Sequence, residues 1–344
     1  MPRNPSSRGG RALAPEEWRA WEASLPKTLT REETHTATLI LTLEKLSRTF
    51  IHPWGLTGGT CLQSYLPMEV RRYSSDLEII TTVTETRVRE WMRSQSLKAE
   101  PVHAAAIKCA LTPDGTLFVI HSYPQDDFDA ADITPHPFEH FPITRTRPPG
   151  KVEARLISAP YLLATKLWEV QRLGRGGERP KDAYDLAQCL SLAPTRDIFA
   201  KLETYVRHQG HGGRARDVAR RAACYLDWYS AAGSKTFVTW SKRFIRADGP
   251  QPKPEDLHAA ASLLAKELGF APMFTEAEIC EILIRELSPK DLTPIAKTLG
   301  CAPKTLSQYD NMREFVLVKL QPRLTAPYPM DAQDLLAKFR ELAG

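Results

Sequence analysis

Residues 57–81 read Thr-Gly-Gly-Thr-Cys-Leu-Gln-Ser-Tyr-Leu-Pro-Met-Glu-Val-Arg-Arg-Tyr-Ser-Ser-Asp-Leu-Glu-Ile-Ile-Thr, a glycine pair followed by a segment that alternates as a β-strand does. On such a strand, side chains two residues apart share a face, so Asp76 and Glu78 point the same way while Leu77 and Ile79 point into a core. Two neighbouring carboxylates suit a hard cation such as Mg2+, which takes oxygen ligands and keeps waters for a phosphate substrate. The pair is a candidate metal site, and the alternative is an ordinary solvated strand face.

The glycine pair has a use that matches these acids. Because Gly58 and Gly59 lack Cβ atoms, the backbone can approach a triphosphate closely. The N–H groups at the start of the following helix, together with the Thr60 hydroxyl, can then face its oxygens. A glycine turn and paired acids together indicate nucleotidyl transfer, whereas a Gly-Gly pair alone is usually only a turn.

Two blocks of sequence carry an ordered set of motifs. The first is Gly58-Gly59-Thr60 followed by Arg72-Tyr73-Ser74-Ser75-Asp76-Leu77-Glu78, and the second is Ala164-Thr165-Lys166-Leu167-Trp168 followed by Arg179-Pro180-Lys181-Asp182-Ala183-Tyr184-Asp185-Leu186. In order and spacing they resemble the motifs of the AbiEii/AbiGii-type (MenT-like) nucleotidyltransferase toxins of type IV-like toxin-antitoxin systems, over residues 60–190. One departure is Glu78, where the family usually has Asp, and it bears on the preferred ion.

The resemblance implies a DNA polymerase β-like nucleotidyltransferase fold and transfer of a nucleoside monophosphate from an NTP to a hydroxyl, with pyrophosphate leaving. It implies that Asp76 and Glu78 bind Mg2+ or Mn2+. Arg72 either binds phosphate or fixes the strand through an ion pair. The residues that would bind the nucleotide are Gly58, Gly59, Thr60, Arg72, Ser74 and Lys166.

The remaining roles also follow from the resemblance. Ser74 would form hydrogen bonds in the loop before Asp76, and in some relatives the matching serine is where the antitoxin acts by phosphorylation. Lys166 would reach the triphosphate, and Asp182 would serve as a supporting or base-like carboxylate, with Asp185 as an alternative to it. Without the resemblance, Lys166 and Asp182 would be interpreted as a surface ion pair.

The implied acceptor is tRNA, at its 3' end, so that translation stops and growth arrests, and the implied partner is a cognate antitoxin. Two alternatives remain open. One is a nucleotidyltransferase that acts on a small-molecule or protein hydroxyl, and the other is a catalytically inactive nucleic-acid-binding regulator. The choice of base depends on a few contacts in the nucleotide pocket that no sequence motif marks, so the sequence does not predict which NTP is used.

Composition bounds these possibilities. The chain has 344 residues, of which 42% are apolar and 25% charged, as is ordinary for a soluble globular protein. No apolar run of the length of a membrane span occurs, and residues 1–13 lack the apolar core of a signal peptide, so a cytoplasmic protein without membrane contact is expected. The fold class expected is α/β with a mixed sheet, divided into a flexible N-terminus (1–14), a nucleotidyltransferase core (15–158) and a C-terminal helical domain (159–344).

Periodicity predicts the elements of the core. Helices are expected at residues 15–25, 30–50, 61–65 and 84–97, and Thr30-x-x-Glu33 has the pattern of a capping box. A β-hairpin is expected at 102–111 and 116–123, and a long surface excursion at 124–149. Asp126, Asp127 and Asp129 are interpreted as loop residues, and no third metal ligand is assigned to them.

The C-terminal part is strongly basic at its centre. Residues 195–253 hold twelve Lys and Arg against five Asp and Glu, a net charge of +7 compared with +5 for the whole chain. Arg214, Arg216, Arg220 and Arg221 would gather on one helix near Tyr225 and Trp228, as a surface for an RNA backbone or as a solvated basic helix. Residues 293–309 have the cadence of a helix-turn-helix, although two packed helices would look the same.

Cysteines and histidines point to no second metal site. The six cysteines are scattered singly, so neither a zinc knuckle nor a redox pair is indicated, and they are expected to be reduced and partly buried. His136 and His140 have the spacing of a helical metal site, but Pro135, Pro137 and Pro142 argue against the helix that this spacing needs.

Overall fold

The computed structural model describes residues 15–72, 74, 76–103, 106–111, 117–138, 148, 152–171, 180–209, 214–230, 253–275, 278–279 and 289–300, and the single residues 314, 318, 319, 334, 337 and 341. The chain divides into two compact units, Met1–Ser158 (unit 1) and Ala159–Gly344 (unit 2). None of the helices in this described part is long and apolar enough to cross a membrane.

Unit 1 is built on a mixed sheet, to which the described residues contribute seven strands in the order β3-β4-β5-β2-β1-β7-β6. At its centre β2 runs antiparallel to β1 and parallel to β5, and β1 runs parallel to β7. The expected α/β fold with a mixed sheet is confirmed. The strands are β1 (Trp54–Thr57), β2 (Asp76–Thr81), β3 (Glu100–His103), β4 (Ala106–Ala110), β5 (Leu117–Ser122), β6 (Thr134–Pro137) and β7 (Glu153–Leu156).

The helices described for unit 1 are α1 (Pro15–Ser24), α2 (Arg31–Thr49), α3 (Gly58–Ser64), α4 (Glu85–Ser94) and α5 (Gln125–Ala130). The capping box of α2 is confirmed, because the Thr30 hydroxyl accepts from the Glu33 N–H at 3.2 Å and the Glu33 carboxylate accepts from the Thr30 N–H at 2.9 Å. The apolar face of α2 is buried as its spacing predicts, at Leu39, Leu43, Leu46 and Phe50. Helix α3 begins at Gly58 itself, three residues before the predicted start.

Two predictions for unit 1 are wrong in detail. The single strand expected at 102–111 is two antiparallel strands, β3 and β4, of which only β4 forms the expected hairpin with β5. The excursion at 124–149 contains an ordered helix and strand, α5 and β6, so Asp126, Asp127 and Asp129 are helical rather than loop residues. His136 lies in β6, and His140 lies outside the described residues.

Unit 2 is helical in its described elements. These are α6 (Ala159–Gln171), α7 (Pro180–Cys189), α8 (Thr195–His208), α9 (Ala215–Ser230), α10 (Pro254–Leu268) and α11 (Pro289–Thr298). Helix α6 packs against α7, α8 and α9, and α10 packs against α9. Trp168 and Tyr161 of α6 meet Tyr205 of α8 edge-on, with ring centroids 6.1 and 5.9 Å apart. This aromatic contact fixes the helix that carries Lys166.

Candidate functional site

The turn that follows β1 lies directly against the Glu78 carboxylate. Gly58 has φ +70°, and a Cβ built on it would stand 1.8 Å from Glu78 Oε2. The sheet register explains this proximity, since Thr57, the last residue of β1, pairs with Glu78 of β2. Only glycine fits here, because the backbone is left-handed and a carboxylate occupies the place of the side chain.

Gly59 borders two more residues of the first motif block. A Cβ on Gly59 would stand 2.8 Å from Ser74 Oγ and 3.0 Å from the Arg72 guanidinium at Nη2. Both side chains are buried, with 7% of Ser74 and 3% of Arg72 exposed. The glycine turn, Arg72, Ser74 and Glu78 are therefore neighbours in the folded chain, although up to twenty residues separate them in sequence.

Thr60 holds the start of β2. Its hydroxyl donates to the Asp76 carbonyl oxygen at 2.6 Å and the side chain is fully buried, while the Ser74 hydroxyl lies 3.4 Å from the same oxygen. The Thr60 hydroxyl is thus engaged with the strand backbone, where sequence reasoning expected it to face phosphate oxygens. This contact fixes the backbone that carries the first carboxylate.

The two acids share one face of β2, as the alternation predicts. Asp76 and Glu78 are partly exposed, and Leu77 and Ile79 between and after them are buried. On the neighbouring strand β5, Leu117 stands beside Asp76 and Val119 beside Glu78. Within the described residues, no group of three or more His, Cys, Asp or Glu is placed to hold a metal ion. The described residues on this face of β2 therefore provide two carboxylates, Asp76 and Glu78, as candidate metal ligands.

Gln63 is a residue of this region that sequence reasoning missed. It is fully buried in α3, and its side-chain oxygen accepts the Arg72 backbone N–H at 2.8 Å. The Arg71 side chain ties the same loop by donating to the Leu66 carbonyl at 2.8 Å. These contacts fix the path of the loop that carries Arg72, and a polar side chain on a buried helical face is the only sequence signal for it.

In unit 2, the second motif block forms a buried charge cluster. Lys166 Nζ lies 2.5 Å from Asp182 Oδ1 and 3.0 Å from Asp185 Oδ2, and at most 7% of any of the three side chains is exposed. The alternative interpretation as a surface ion pair is therefore wrong, because the pair is buried. Both acids bind the lysine, since three residues along α7 bring them to one helical face. Buried charges of this kind persist only when they are paired.

The arginines of α9 are engaged with protein groups. Arg220 binds Glu278 through two hydrogen bonds of 2.6 and 3.1 Å, and Arg221 Nε lies 3.2 Å from the same carboxylate. Arg216 donates to the Gly269 carbonyl at 2.6 Å. Burial opposes ionisation of Glu278, but hydrogen bonds from Arg220 and the Thr275 N–H outweigh it and lower the pKa of this carboxyl.

Neither prediction for the basic helix describes Arg220 and Arg221, which are partly exposed and bind Glu278. Arg214 and Arg216 are exposed, as both predictions expect. Tyr225 and Trp228 are buried and cannot stack on bases from the surface. Four basic positions of the region, Lys235, Lys242, Arg243 and Arg246, lie outside the described residues, as does the second half of the helix-turn-helix prediction, 301–309.

A sequence model of the family described as "Nucleotidyl transferase AbiEii toxin, Type IV TA system" matches residues 45–266, more than half of the 344-residue chain. The comparison with curated proteins found no match. Among solved structures, MenT4, a nucleotidyltransferase toxin from Mycobacterium tuberculosis, is 16% identical with a TM-score of 0.46, over 69% of this chain and 86% of that chain. A putative nucleotidyltransferase from Helicobacter pylori is 14% identical with a TM-score of 0.41, over 70% of this chain and 98% of that chain.

Proposed function

The chain belongs to the AbiEii nucleotidyltransferase toxin family, and from that premise we propose that it moves a nucleoside monophosphate from an NTP to RNA, at the 3' acceptor end of tRNA. It is a nucleotidyltransferase of a toxin-antitoxin system. The observation that supports the site best is the glycine turn, where Gly58 lies against Glu78 of β2 and Gly59 lies against Arg72 and Ser74. Blocked aminoacylation would stop translation, and a cognate antitoxin would oppose it. NTPs and tRNA are cytoplasmic, so the proposal places the protein there.

Asp76 and Glu78 fit a divalent metal. Both are carboxylates on one strand face, both are partly exposed, and oxygen is the donor that Mg2+ or Mn2+ prefers. Two protein ligands leave coordination positions for water and phosphate, as Mg2+ sites commonly do. When bound, the metal would neutralise triphosphate charge and favour in-line displacement at the α-phosphorus.

The glycine turn and Arg72 form the proposed phosphate contacts. The backbone at Gly58 and Gly59 can be approached without a Cβ in the way, and the Arg72 guanidinium borders Gly59. A guanidinium presents paired donors that match phosphate oxygens. Thr60 and Ser74 support this arrangement through the Asp76 carbonyl.

Lys166 is the proposed cationic contact of the second motif block. Its ammonium is oriented by Asp182 and Asp185, and we assign it to the triphosphate oxygens in the substrate complex. Asp182 supplies the supporting or base-like carboxylate for the attacking hydroxyl, with Asp185 as the alternative. Because both acids bind the lysine, substituting each by Asn in turn distinguishes them. If an acid acts on the attacking hydroxyl, its Asn variant should have a lower kcat while its NTP affinity changes less.

We also test a second acceptor class, because Arg220 and Arg221 of the basic region bind Glu278 and are only partly exposed. That class is a small-molecule or protein hydroxyl.

The experiment incubates the purified protein and Mg2+ with total tRNA and each of the four α-labelled NTPs in turn. Transfer of label to tRNA from one NTP is expected, with none from Asp76→Ala. Glu153→Ala, which removes an exposed carboxylate from β7 of the same sheet, is the matched control and should retain transfer. If the folded protein labels no RNA but labels another acceptor, the RNA proposal is wrong and the second class is correct.

A further inference from the structure

Three residues of unit 2 form a hydrogen-bonded series apart from the residues assigned to nucleotidyl transfer. Ser262 Oγ lies 3.5 Å from His258 Nε2, and His258 Nδ1 lies 2.7 Å from Asp227 Oδ1. Ser262 and His258 are one turn apart on α10, and Asp227 belongs to α9, which packs against α10. The order is that of a hydroxyl nucleophile, its base and an acid that orients the base.

A carboxylate next to Nδ1 favours one tautomer of the neutral ring. An ionised Asp227 only accepts hydrogen bonds, so a neutral His258 carries its proton on Nδ1 and accepts the Ser262 hydroxyl proton at Nε2. The exposures suit these roles, because 8% of the Asp227 side chain is exposed compared with 65% of His258. Ser262 is also exposed. The 3.5 Å contact is long, as contacts to a catalytic base often are before substrate binds.

The surroundings favour phosphorus over an acyl carbon as the electrophile. Ser262 lies in the middle of α10, where backbone N–H groups bond to the preceding turn and do not offer the oxyanion donors that acyl transfer requires. Lys266 follows one turn later on the same helical face and is exposed. Its ammonium can balance the negative charge of phosphoryl oxygens.

We propose that Ser262 is a second nucleophile of this protein, one that accepts a phosphoryl-type group from an activated phosphorus donor. The bond between Ser262 Oγ and phosphorus forms, the bond from phosphorus to the leaving group breaks, and the leaving group departs with the electron pair. The proton passes from Oγ to His258 Nε2. Asp227 is a positioning residue that holds the ring and stabilises the imidazolium. The proposal is independent of the nucleotidyl-transfer site.

The test uses diisopropyl fluorophosphate on the full chain, with fluoride as the leaving group and mass spectrometry to find the modified residue. Ser262 should react at least about tenfold faster than Ser94, since general-base help is worth at least that much. Ser94 is an exposed helical serine whose hydroxyl donates to the Trp91 carbonyl at 2.7 Å, so it is the internal control. His258→Gln should reduce Ser262 labelling by about tenfold or more.

Asp227→Asn separates positioning from a structural role. Asparagine can donate to Nδ1, which moves the ring proton to Nε2 and removes the acceptor for Ser262. Nitrogen-15 NMR should show the Nδ1–H tautomer in the parent and the Nε2–H tautomer in the variant, together with slower labelling. The proposal is overturned if Ser262 reacts no faster than Ser94, or if His258→Gln leaves its labelling unchanged.

Discussion

Position 58 requires glycine for two separate reasons, its left-handed backbone and the Glu78 carboxylate beside it. Gly300 has nearly the same φ, +67° compared with +70°, but no atom of the described residues lies within 4 Å of a Cβ built there. Replacing either glycine by alanine should therefore cost about 1–2 kcal/mol of backbone strain. They differ in what the new methyl group displaces, and that difference allows the role of the turn to be tested.

Gly58→Ala and Gly300→Ala should therefore lower the free energy of unfolding by similar amounts, about 1–2 kcal/mol each in urea denaturation. Only Gly58→Ala should lose nucleotidyl transfer, because the methyl group pushes the flexible Glu78 carboxylate from its place. Equal activity in the two variants would contradict the assignment of Glu78 to the site.

The buried Lys166 cluster gives a second prediction at the scale of residues. Lys166→Met keeps the apolar stem but leaves Asp182 and Asp185 without their cation, and it should cost about 3–5 kcal/mol of unfolding free energy. Adding Asp182→Asn and Asp185→Asn to Lys166→Met should recover part of that loss, because the two carboxylate charges that the ammonium balanced are then removed as well. Thermal and urea unfolding of both variants measure the effect, and a triple variant less stable than Lys166→Met would contradict it.

How far the sequence predicts the site depends on the kind of residue. The shared face of Asp76 and Glu78 follows from strand alternation, and Gly58, Arg72 and Ser74 were grouped with them through the family motifs. Gln63 was missed because a buried amide on a short helix has no pattern of its own. The ion pair of Arg220 with Glu278 joins residues 58 positions apart and depends on packing that periodicity does not contain.

At the scale of elements, Glu278 joins α9 to the segment that follows α10, and its stabilising effect depends on pH. Hydrogen bonds from Arg220 hold the pKa of Glu278 below its ordinary value of 4.5 despite burial. A lowered carboxyl pKa adds stability above the unfolded-state value, and that stability is lost as the pH falls through the folded-state value. The window of loss therefore lies below about pH 4.5.

Glu278→Gln should accordingly be less stable than the parent at pH 5–7, with the difference shrinking as the pH falls below about 4.5. Urea denaturation of both proteins across this range measures it. Glu255→Gln, an exposed carboxylate in the first turn of α10, is the control and should show a smaller difference. A parent-variant difference that stays constant down to acid pH would show that the ion pair is not responsible.

Helices with a strong apolar periodicity were predicted from the sequence, whereas the short helix α5, which is rich in Pro and Asp, was not. Helix α2 was identified by its capping box and apolar face. Helix α5 was taken for loop because residues 124–129 are rich in Pro and Asp. The acids in this segment are a helix-start signal, since Asp126 and Asp127 lie in the first turn, where the helix dipole is positive. Its apolar face is too short to show a period.

At the scale of the whole molecule, the family match at residues 45–266 extends into both units, and so do the motif residues. The paired carboxylates and the glycine turn belong to unit 1, and Lys166 and its two acids belong to unit 2. The basic charge that suggested an RNA surface is in part used within unit 2 by Arg216, Arg220 and Arg221.

The most direct measurement is the rate of nucleotidyl transfer by purified Asp76→Asn, compared with the parent and with Glu153→Gln. Asparagine keeps the size of Asp76 but removes the charge that a divalent metal requires. Transfer should fall by about a hundredfold or more, while Glu153→Gln keeps the parent rate and all three proteins unfold alike. A folded Asp76→Asn protein that transfers nucleotide at the parent rate would contradict the assignment of catalysis to the Asp76 and Glu78 face.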